Sequence, residues 1–390
     1  MTPNRGPGAR KFFILAGEAS GDRHGAALME AMQALEPAAE FSGIGGEMMQ
    51  AAGLETLYDA RQMAVIGFSE VFRKLRFLRR AMRQVLRHIA SRRPERIILI
   101  DYPGFNLRLA QRLRRSGIPV TYYISPQLWA WRAGRIRVIR RCVAQMLVIF
   151  PFEEEWYRER GVSATFVGHP ILDEPAPDQD RETFLAGQDL RPDQPLLTLY
   201  PGSREDELEQ HLGLFFKAAL IAREACPGLQ LALGLAPDLS PGQVPAEIRS
   251  QVRLVTGRPR MLLRYADVAM VASGTATLEA AAWGVPMVVV YRVSPFSAWL
   301  GRRLLRLPHI SMANILAGRE LVPEFLQERA QPGPIARTVV RLLGDDDSRR
   351  QFREDLLALR QLLKPPQTGN AGTVSLRAAQ MILEPDGRGL

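Results

Sequence analysis

Blocks of apolar and polar positions alternate along the first half of the chain. An uninterrupted apolar run at 12–16 is followed by a loop and then by helical periodicity at 26–35. Because such runs do not alternate with polar residues, they predict strands covered on both faces, as in a parallel sheet flanked by helices. Further strands are predicted at 96–101, 120–125, 146–150 and 165–167.

The same pattern starts again after a polar, proline-rich segment at 168–193. Strands are predicted there at 195–200, 229–235, 252–255, 268–272 and 287–291. Two successive sets of strand–helix units predict an α/β protein with two Rossmann-like, doubly wound domains that face each other across a cleft. The predicted domains are 1–172 and 173–348, and a helical tail at 349–390 is expected to pack back on the first domain.

Composition narrows the class of protein. The chain has 390 residues, of which 46% are hydrophobic and 24% charged, as in ordinary soluble globular proteins. No apolar run reaches the roughly 18–20 residues of a membrane-spanning helix, and the run near the N-terminus is too short for the core of a signal peptide. The two cysteines have no metal-ligand spacing and are too few for a disulfide framework, so a reducing cytoplasm is expected.

The charge balance is unusual. Lys and Arg total 51 against 41 acidic residues, a net charge of +10. This balance predicts an anionic partner (nucleic acid, an acidic lipid surface or a phosphorylated substrate), unless it only reflects genome composition. The segment 71–90 is a basic amphipathic helix that suits an anionic membrane surface, although its pattern alone favours a helix packed on the sheet with its arginines in solvent. The candidate membrane contacts are Val71, Phe72, Leu75, Arg76, Phe77, Leu78, Arg79 and Arg80, with 296–307 as a weaker second segment.

Three polar or aromatic segments follow predicted strands of the first domain. The loop at 17–25 is rich in glycine and polar residues but matches neither the dinucleotide fingerprint nor the phosphate-binding P-loop, so it predicts a functional loop or an ordinary turn. Asp101 ends an apolar strand, where it could act as a general base or as a turn residue before Pro103. The aromatic loop at 123–131 is compatible with a ligand pocket or with the edge of the core.

The second domain has two similar turns, at 201–204 and at 272–279. Each follows an apolar strand and begins a helix, where N–H groups and, in the first turn, Arg204 could hold a phosphate. Glu279 lies about one helical turn further on, placed to bind ribose hydroxyls. Either turn alone could be simple capping. Two of them in one domain predict a nucleotide diphosphate site.

Six segments of the chain together resemble the lipid-A-disaccharide synthase family. The resemblance runs in the family's order from about Phe13 to about Gln327. Two positions depart from it: Gly104, where the family more often has an acid, and the residues before Asn314, where a Leu-Pro pair is more usual. The segments are 16–22, 123–132, 166–170, 201–204, 272–279 and 314–322.

The resemblance implies a metal-independent, inverting glycosyltransferase of the B type. Its donor would be UDP-2,3-diacylglucosamine and its acceptor 2,3-diacylglucosamine 1-phosphate (lipid X), giving the β-1,6-linked lipid A disaccharide 1-phosphate and UDP. Asp101 would be the base, with Glu18 as second candidate, and Arg204 would meet the departing diphosphate. The implied donor-binding residues are Gly202, Ser203, Arg204, Ser273, Gly274, Thr275, Thr277, Glu279 and Asn314. The implied acceptor-binding residues are Ser20, Asp22 and Asn106.

This interpretation also sets expectations for cofactors and partners. The acidic run 345–347 follows no apolar strand and predicts a helix start, so we expect neither a metal nor another cofactor. Lipid substrates favour the membrane interpretation of 71–90, which predicts a cytoplasmic protein bound peripherally to the inner face of the inner membrane. No nucleic-acid partner is expected, and a homodimer is left open.

Two kinds of alternative remain. One is another UDP-sugar enzyme of the same architecture, a UDP-N-acetylglucosamine epimerase or the peptidoglycan lipid-intermediate transferase. The segments 17–22 and 314–322 argue against both. The other is a non-catalytic, basic, nucleic-acid-binding protein, which the charge supports but which lacks a zinc finger, an RNP-type aromatic signature or a basic tail.

Overall fold

The computed structural model of the protein describes residues 9–64, 71–130, 133–293, 308–366 and 372–384, with no side-chain description at 64 and 71–75. The chain forms two compact units, residues 1–174 with 363–390 (unit 1) and residues 175–362 (unit 2). The helix Asp346–Leu362, which the sequence analysis assigned to the tail, packs within unit 2 because it buries Leu356 and Leu359 in that unit's core.

Unit 1 contains a parallel sheet of seven strands. The strands are β1 (Lys11–Ala16), β2 (Glu40–Gly45), β3 (Leu54–Asp59), β4 (Arg96–Ile100), β5 (Val120–Tyr123), β6 (Gln145–Val148) and β7 (Thr165–Phe166). Their order in the sheet is β3-β2-β1-β4-β5-β6-β7. The residues of β4 are all buried, and so are those of β1 after Lys11, because helices cover both faces of the sheet.

Helices connect these strands. They are α1 (Ala19–Leu35), α2 (Glu47–Ala51), α3 (Ala60–Ala64), α4 (Val71–Arg92), α5 (Pro103–Leu113), α6 (Ile136–Cys142) and α7 (Pro151–Arg158). The core under α4 and α5 contains Val85, Ile89, Leu109 and Leu113, spaced so that each helix turns one apolar face to the sheet.

Unit 2 contains a second parallel sheet, with six strands. These are β8 (Leu196–Tyr200), β9 (Gln230–Gly234), β10 (Arg253–Val255), β11 (Val268–Ala272), β12 (Met287–Tyr291) and β13 (Glu324–Leu326), in the order β10-β9-β8-β11-β12-β13. Its described helices are α8 (Arg181–Gly187), α9 (Glu205–Ala225), α10 (Ala246–Arg249), α11 (Pro259–Arg264), α12 (Thr275–Ala282), α13 (Met312–Ala317), α14 (Pro332–Gly344) and α15 (Asp346–Leu362).

A last helix, α16 (Val374–Leu383), belongs to unit 1 and packs against α1. The Asp173 carboxylate accepts hydrogen bonds from the first two N–H groups of α16, at 2.6 and 2.7 Å. At the other end, Arg10 and Arg96 donate to backbone carbonyls at 3.2 and 3.4 Å. An anion at the N-terminus and cations at the C-terminus both interact favourably with the helix dipole, so α16 is fixed at both ends.

Each sheet has one point where the strand order reverses. It lies between β1 and β4 in unit 1 and between β8 and β11 in unit 2. In open parallel α/β sheets, ligands bind outside the carboxyl ends of the strands at such a reversal. The turns that follow these four strands are 17–18, 101–102, 201–204 and 273–274.

Candidate functional site

The turn after β4 holds Asp101 in an uncommon backbone conformation. Asp101 and Tyr102 have φ angles of 41° and 44°, in the left-handed region that few residues other than glycine adopt. Three hydrogen bonds fix this turn. The Asp101 N–H donates to the Tyr123 carbonyl at 3.2 Å, and the Asp101 carbonyl accepts from Asn106 Nδ2 at 2.8 Å and from the Tyr122 hydroxyl at 2.5 Å. Strain of this kind persists where the surroundings fix it, and it is common at active sites.

The proton affinity of Asp101 is raised. Burial, followed by the negative charge of Glu18, raises the pKa of the Asp101 carboxyl to about 7. Glu18 lies at the end of β1, the neighbouring strand, and directly precedes α1. The Tyr102 ring covers Gly17, where a Cβ would approach the ring to 2.4 Å, so only glycine fits there. A carboxyl that titrates near neutral pH at a strand end is suited to general base catalysis.

Two of the predicted acceptor-binding residues, Asp22 and Asn106, are buried and form hydrogen bonds with backbone groups. The Asp22 carboxylate is buried and accepts hydrogen bonds from three N–H groups at the start of α2, at 2.6 to 3.1 Å. Asn106 is fully buried and donates to the carbonyls of Ile100 and Asp101. Both therefore position backbone, although the buried Oδ1 of Asn106 has no hydrogen-bond partner in the described part of the chain, and their assignment as acceptor contacts stays a prediction. Ser20 lies half-buried in the first turn of α1, and its assignment stays a prediction.

Sequence reasoning missed one carboxyl of this region, Glu153 in the first turn of α7. It is 1% exposed. One carboxylate oxygen accepts from the Ser125 hydroxyl at 2.5 Å and from the Trp129 indole N–H at 3.1 Å. The other oxygen accepts from the N–H groups of Ile149 and Phe150, at 3.3 and 3.1 Å. Its only signal in the sequence is that it follows the predicted strand 146–150 by three residues.

Two backbone N–H groups of the turn after β8 already bind a side chain of the helix that follows it, α9. The carboxylate of Glu207, in the first turn of α9, accepts from the N–H groups of Ser203 and Arg204 at 2.8 and 3.3 Å. These are backbone groups that the sequence analysis expected to hold a phosphate. The Arg204 side chain is 61% exposed, with its guanidinium 3.7 Å from the Glu207 carboxylate. Gly202 is half-buried in the same turn. An anionic ligand would therefore meet the Arg204 guanidinium first.

The turn after β11 presents Gly274 and Thr275 at the surface. Ser273 is half-buried and donates to the Ile310 carbonyl at 3.3 Å. Thr277 is fully buried and donates to the Gly274 carbonyl at 2.8 Å, so it stabilises the turn, and its assignment as a donor contact stays a prediction. The start of α12 offers the exposed positions from which helix N–H groups bind phosphates.

Glu279 and Asn314 both have partners within unit 2. The Glu279 carboxylate is nearly buried and lies 3.0 Å from the Arg260 guanidinium. The Asn314 amide is fully buried: its Nδ2 donates to the Val322 carbonyl and to Glu324, and its Oδ1 accepts from two backbone N–H groups. All four hydrogen bonds of the Asn314 side chain are thus made within the protein, and its assignment as a donor contact stays a prediction.

Comparison with known proteins decides the family. The model of the lipid-A-disaccharide synthetase family matches residues 12–376. A lipid-A-disaccharide synthase from Syntrophus aciditrophicus (strain SB) is 42% identical over 378 residues, covering 96% of this chain and 98% of its own. The chain belongs to the lipid-A-disaccharide synthase family. Members of this family are glycosyltransferases of lipid A biosynthesis.

Solved structures agree with the fold of this lipid-A-disaccharide synthase family member. The glycotransferase of kitacinnamycin has a TM-score of 0.63 at 16% identity, covering 96% of this chain and 99% of its own. UDP-GlcNAc 2-epimerase from Neisseria meningitidis, bound to UDP-GlcNAc, has a TM-score of 0.61 at 11% identity, covering 96% and 98%. Two parallel α/β domains of the B-type glycosyltransferase fold, predicted from the sequence, are thereby confirmed.

The predicted membrane contacts of this family member divide into three groups. Arg76, Arg79 and Arg80 are exposed on α4. Phe77 and Leu78 are half-buried and pack against the core of unit 1, and their assignment as membrane contacts stays a prediction. The side chains of Val71, Phe72 and Leu75, and the whole segment 296–307, lie outside the described residues.

None of the helices in the described ranges combines the length and apolar character needed to cross a bilayer. In the same part of the chain, no group of three or more His, Cys, Asp and Glu side chains is arranged to hold a metal ion.

Proposed function

We propose that the protein transfers 2,3-diacylglucosamine from UDP-2,3-diacylglucosamine to the 6-hydroxyl of lipid X. The products are the β-1,6-linked lipid A disaccharide 1-phosphate and UDP. The observation that carries the proposal is the Asp101 carboxyl, fixed in a strained strand-end turn with its pKa raised to about 7. Membership of the lipid-A-disaccharide synthase family supports the substrate class.

Asp101 acts as the base in this proposal. It accepts the proton of the acceptor hydroxyl while that oxygen attacks the anomeric carbon of the donor. The new C–O bond forms opposite the breaking bond to the diphosphate, so the configuration inverts and UDP departs with the bonding electron pair. Glu18 stays the second candidate base. In the geometry described here, its charge raises the proton affinity of Asp101 and so makes Asp101 the stronger base.

The departing diphosphate needs positive charge around it. We assign this role to the exposed Arg204 guanidinium and to the start of α12, where Gly274 and Thr275 are accessible. Such preorganised donors stabilise developing charge in the transition state. The reaction as proposed requires no metal. Ser273 and Glu279 remain proposed donor contacts, and Glu279 would bind ribose hydroxyls beside Arg260.

Membrane attachment belongs to the same proposal, since both substrates are lipids. We propose that α4 adsorbs to the cytoplasmic face of the inner membrane through its exposed arginines and the residues at its start. The exposure of Arg76, Arg79 and Arg80 supports this, because each basic residue near an anionic surface contributes about 1 kcal/mol.

Turnover by variants tests the proposal. Purified protein is incubated with both lipid substrates in EDTA, and UDP release and disaccharide formation are followed. We expect turnover by the wild type and a loss of about 10²- to 10⁴-fold in Asp101→Ala. A comparable loss is expected in Arg204→Ala. Asp206→Asn, which removes an exposed carboxyl two residues further on, is the control and should leave turnover unchanged.

The other outcomes are informative. UDP binding without turnover would retain the nucleotide site and reject these substrates. Turnover that requires an added divalent ion would reject the metal-free mechanism. A protein that bound RNA with a steep salt dependence and did not bind UDP would favour the nucleic-acid alternative.

A further inference from the structure

Glu153 does more than cap a helix. A glutamate in the first turn of a helix normally accepts hydrogen bonds from N–H groups at the helix start, and one oxygen of Glu153 does this for α7. Its second oxygen accepts from Ser125 and Trp129, which lie in the loop after β5. One buried carboxylate therefore joins the loops that follow two neighbouring strands.

The loop after β5 adjoins the candidate base. β5 pairs with β4, and the Asp101 N–H donates to the Tyr123 carbonyl, two residues before Ser125. Within the same loop, the Trp129 indole packs edge-on against Phe152, with ring centroids 5.0 Å apart. A change in the hydrogen bonds of Glu153 would thus reach the backbone that holds Asp101.

The two carboxyls also interact by charge. Burial raises the pKa of Glu153 to about 7 in spite of its four donors. The charge of Glu153 is one cause of the raised pKa of Asp101, after burial and Glu18. Further titratable groups near the pair are Glu18, Arg135 and the tyrosines Tyr102, Tyr122 and Tyr157. Burial raises the pKa of the three tyrosine hydroxyls, so they stay protonated.

We propose that Glu153 is a positioning residue of the transfer reaction, whose carboxylate fixes the loop 125–129 beside Asp101 and whose negative charge strengthens Asp101 as a base. Glu153 itself touches neither substrate in this account. The inference rests on the proposed function, since it assigns Asp101 the role of base.

The pH dependence of kcat/KM in Glu153→Gln tests the inference. The substitution keeps the size of the side chain and removes its charge. Because the Asp101 anion then loses a neighbouring like charge, the rise of kcat/KM on the acidic side of the pH profile (the limb) should move to lower pH by about half a unit or more. The value of kcat/KM at high pH, where the profile is flat (the plateau), should fall several-fold, since Asp101 is a weaker base and the loop 125–129 is less well fixed. If the plateau falls while the limb stays in place, Glu153 has only a structural role and its charge does not act on Asp101, which would overturn the inference.

Two further variants separate charge from structure. Glu155→Gln, two residues further along α7, removes an exposed carboxyl paired with Arg158 and should change neither the limb nor the plateau. Ser125→Ala removes one hydrogen bond to Glu153 but leaves the carboxylate. It should lower the plateau and leave the limb near its wild-type position. A limb that moves as far in Glu155→Gln as in Glu153→Gln would contradict the inference.

A measurement without turnover distinguishes this inference from the proposed function. The melting temperatures of the wild type, Glu153→Gln, Asp101→Asn and the double variant are compared at about pH 5 and about pH 8. Like-charge repulsion should make the two substitutions non-additive at the higher pH and additive at the lower pH. Additivity at both would overturn the inference. Non-additivity in a protein that does not turn over the lipid substrates would support the charge interaction and reject the proposed function.

Discussion

Asn314 illustrates how a residue of a family motif can serve the fold. Its amide joins α13 to the backbone at Leu321 and Val322 and to the Glu324 carboxylate, which in turn accepts from the backbone and side chain of Ser311. The adjoining Ile310 carbonyl accepts from Ser273, in the turn after β11. Asn314 therefore holds the segment against which the proposed donor site is built.

This arrangement predicts a loss of stability in Asn314→Ala. Truncation leaves several buried backbone groups without partners, a cost of about 3 kcal/mol. For a unit of this size the melting temperature should fall by about 6–12 °C. The exposed Gln331→Ala variant serves as control and should change it little. An unchanged melting temperature with weakened UDP binding would instead return Asn314 to the donor contacts.

Individual residues of the site differ in how far the sequence predicts their roles. Asp101 is predictable because an acid at the end of an apolar strand reaches the ligand-binding edge of any parallel sheet. Asp22 and Thr277 are predictable as residues of functional loops, but not as residues whose polar atoms bind backbone. Glu153 is missed because it adjoins two further glutamates in a helix start, where acidic residues are usually exposed caps.

At the scale of elements, helix α16 (Val374–Leu383) supports the helix that begins beside Glu18. It packs against α1, whose start follows Glu18, and Asp173 holds its first turn. The hydrogen bonds at its two ends are not apparent from the periodicity of its sequence, because their partners Asp173 and Arg96 are far from α16 in the chain.

We therefore expect Asp173→Ala to loosen α16 without unfolding unit 1. Loss of an N-terminal cap costs about 1–2 kcal/mol. Hydrogen exchange at 374–383 should accelerate about tenfold, whereas exchange in β4 and β5 should stay unchanged. Glu159→Gln, which removes an exposed carboxyl of the same unit, should leave exchange in α16 unaltered. Equal protection of α16 in both variants would contradict its dependence on Asp173.

Strands differ in how well the sequence predicts them. β1, β4 and β11 are buried apolar runs and were predicted within one residue at each end. β2 was missed because it contains two glycines and a serine. A Cβ at Gly43 would lie 1.8 Å from the Ile14 carbonyl oxygen, so close packing against β1 requires glycine there and removes the apolar signal. β13, with three residues, is too short to stand out.

At the scale of the whole molecule, the net charge of +10 is unevenly distributed. α4 contains no acidic residue, and Arg76, Arg79 and Arg80 are exposed on it. A helix of this kind attracts an anionic lipid surface within a Debye length, which at physiological ionic strength is about 8 Å.

Replacing these three arginines by glutamine should weaken binding to vesicles that contain acidic lipids by about 100-fold, from about 1 kcal/mol for each charge. Co-sedimentation with vesicles at two salt concentrations measures it. The control replaces three exposed arginines of unit 2, Arg249, Arg319 and Arg350, and should bind nearly as the wild type. Equal loss in both triple variants would mean that net charge, and not α4, determines attachment.

Asp101 is the central residue of the proposed reaction, as its base. The most direct test is the pH dependence of wild-type kcat/KM, measured with both lipid substrates in EDTA. A base must be ionised to accept a proton, so the rate should rise with pH around a pKa of about 7. Asp101→Asn should remove this rise together with most of the activity. A limb near pH 4, the ordinary value of an exposed carboxyl, or a limb that persists in Asp101→Asn, would contradict the account.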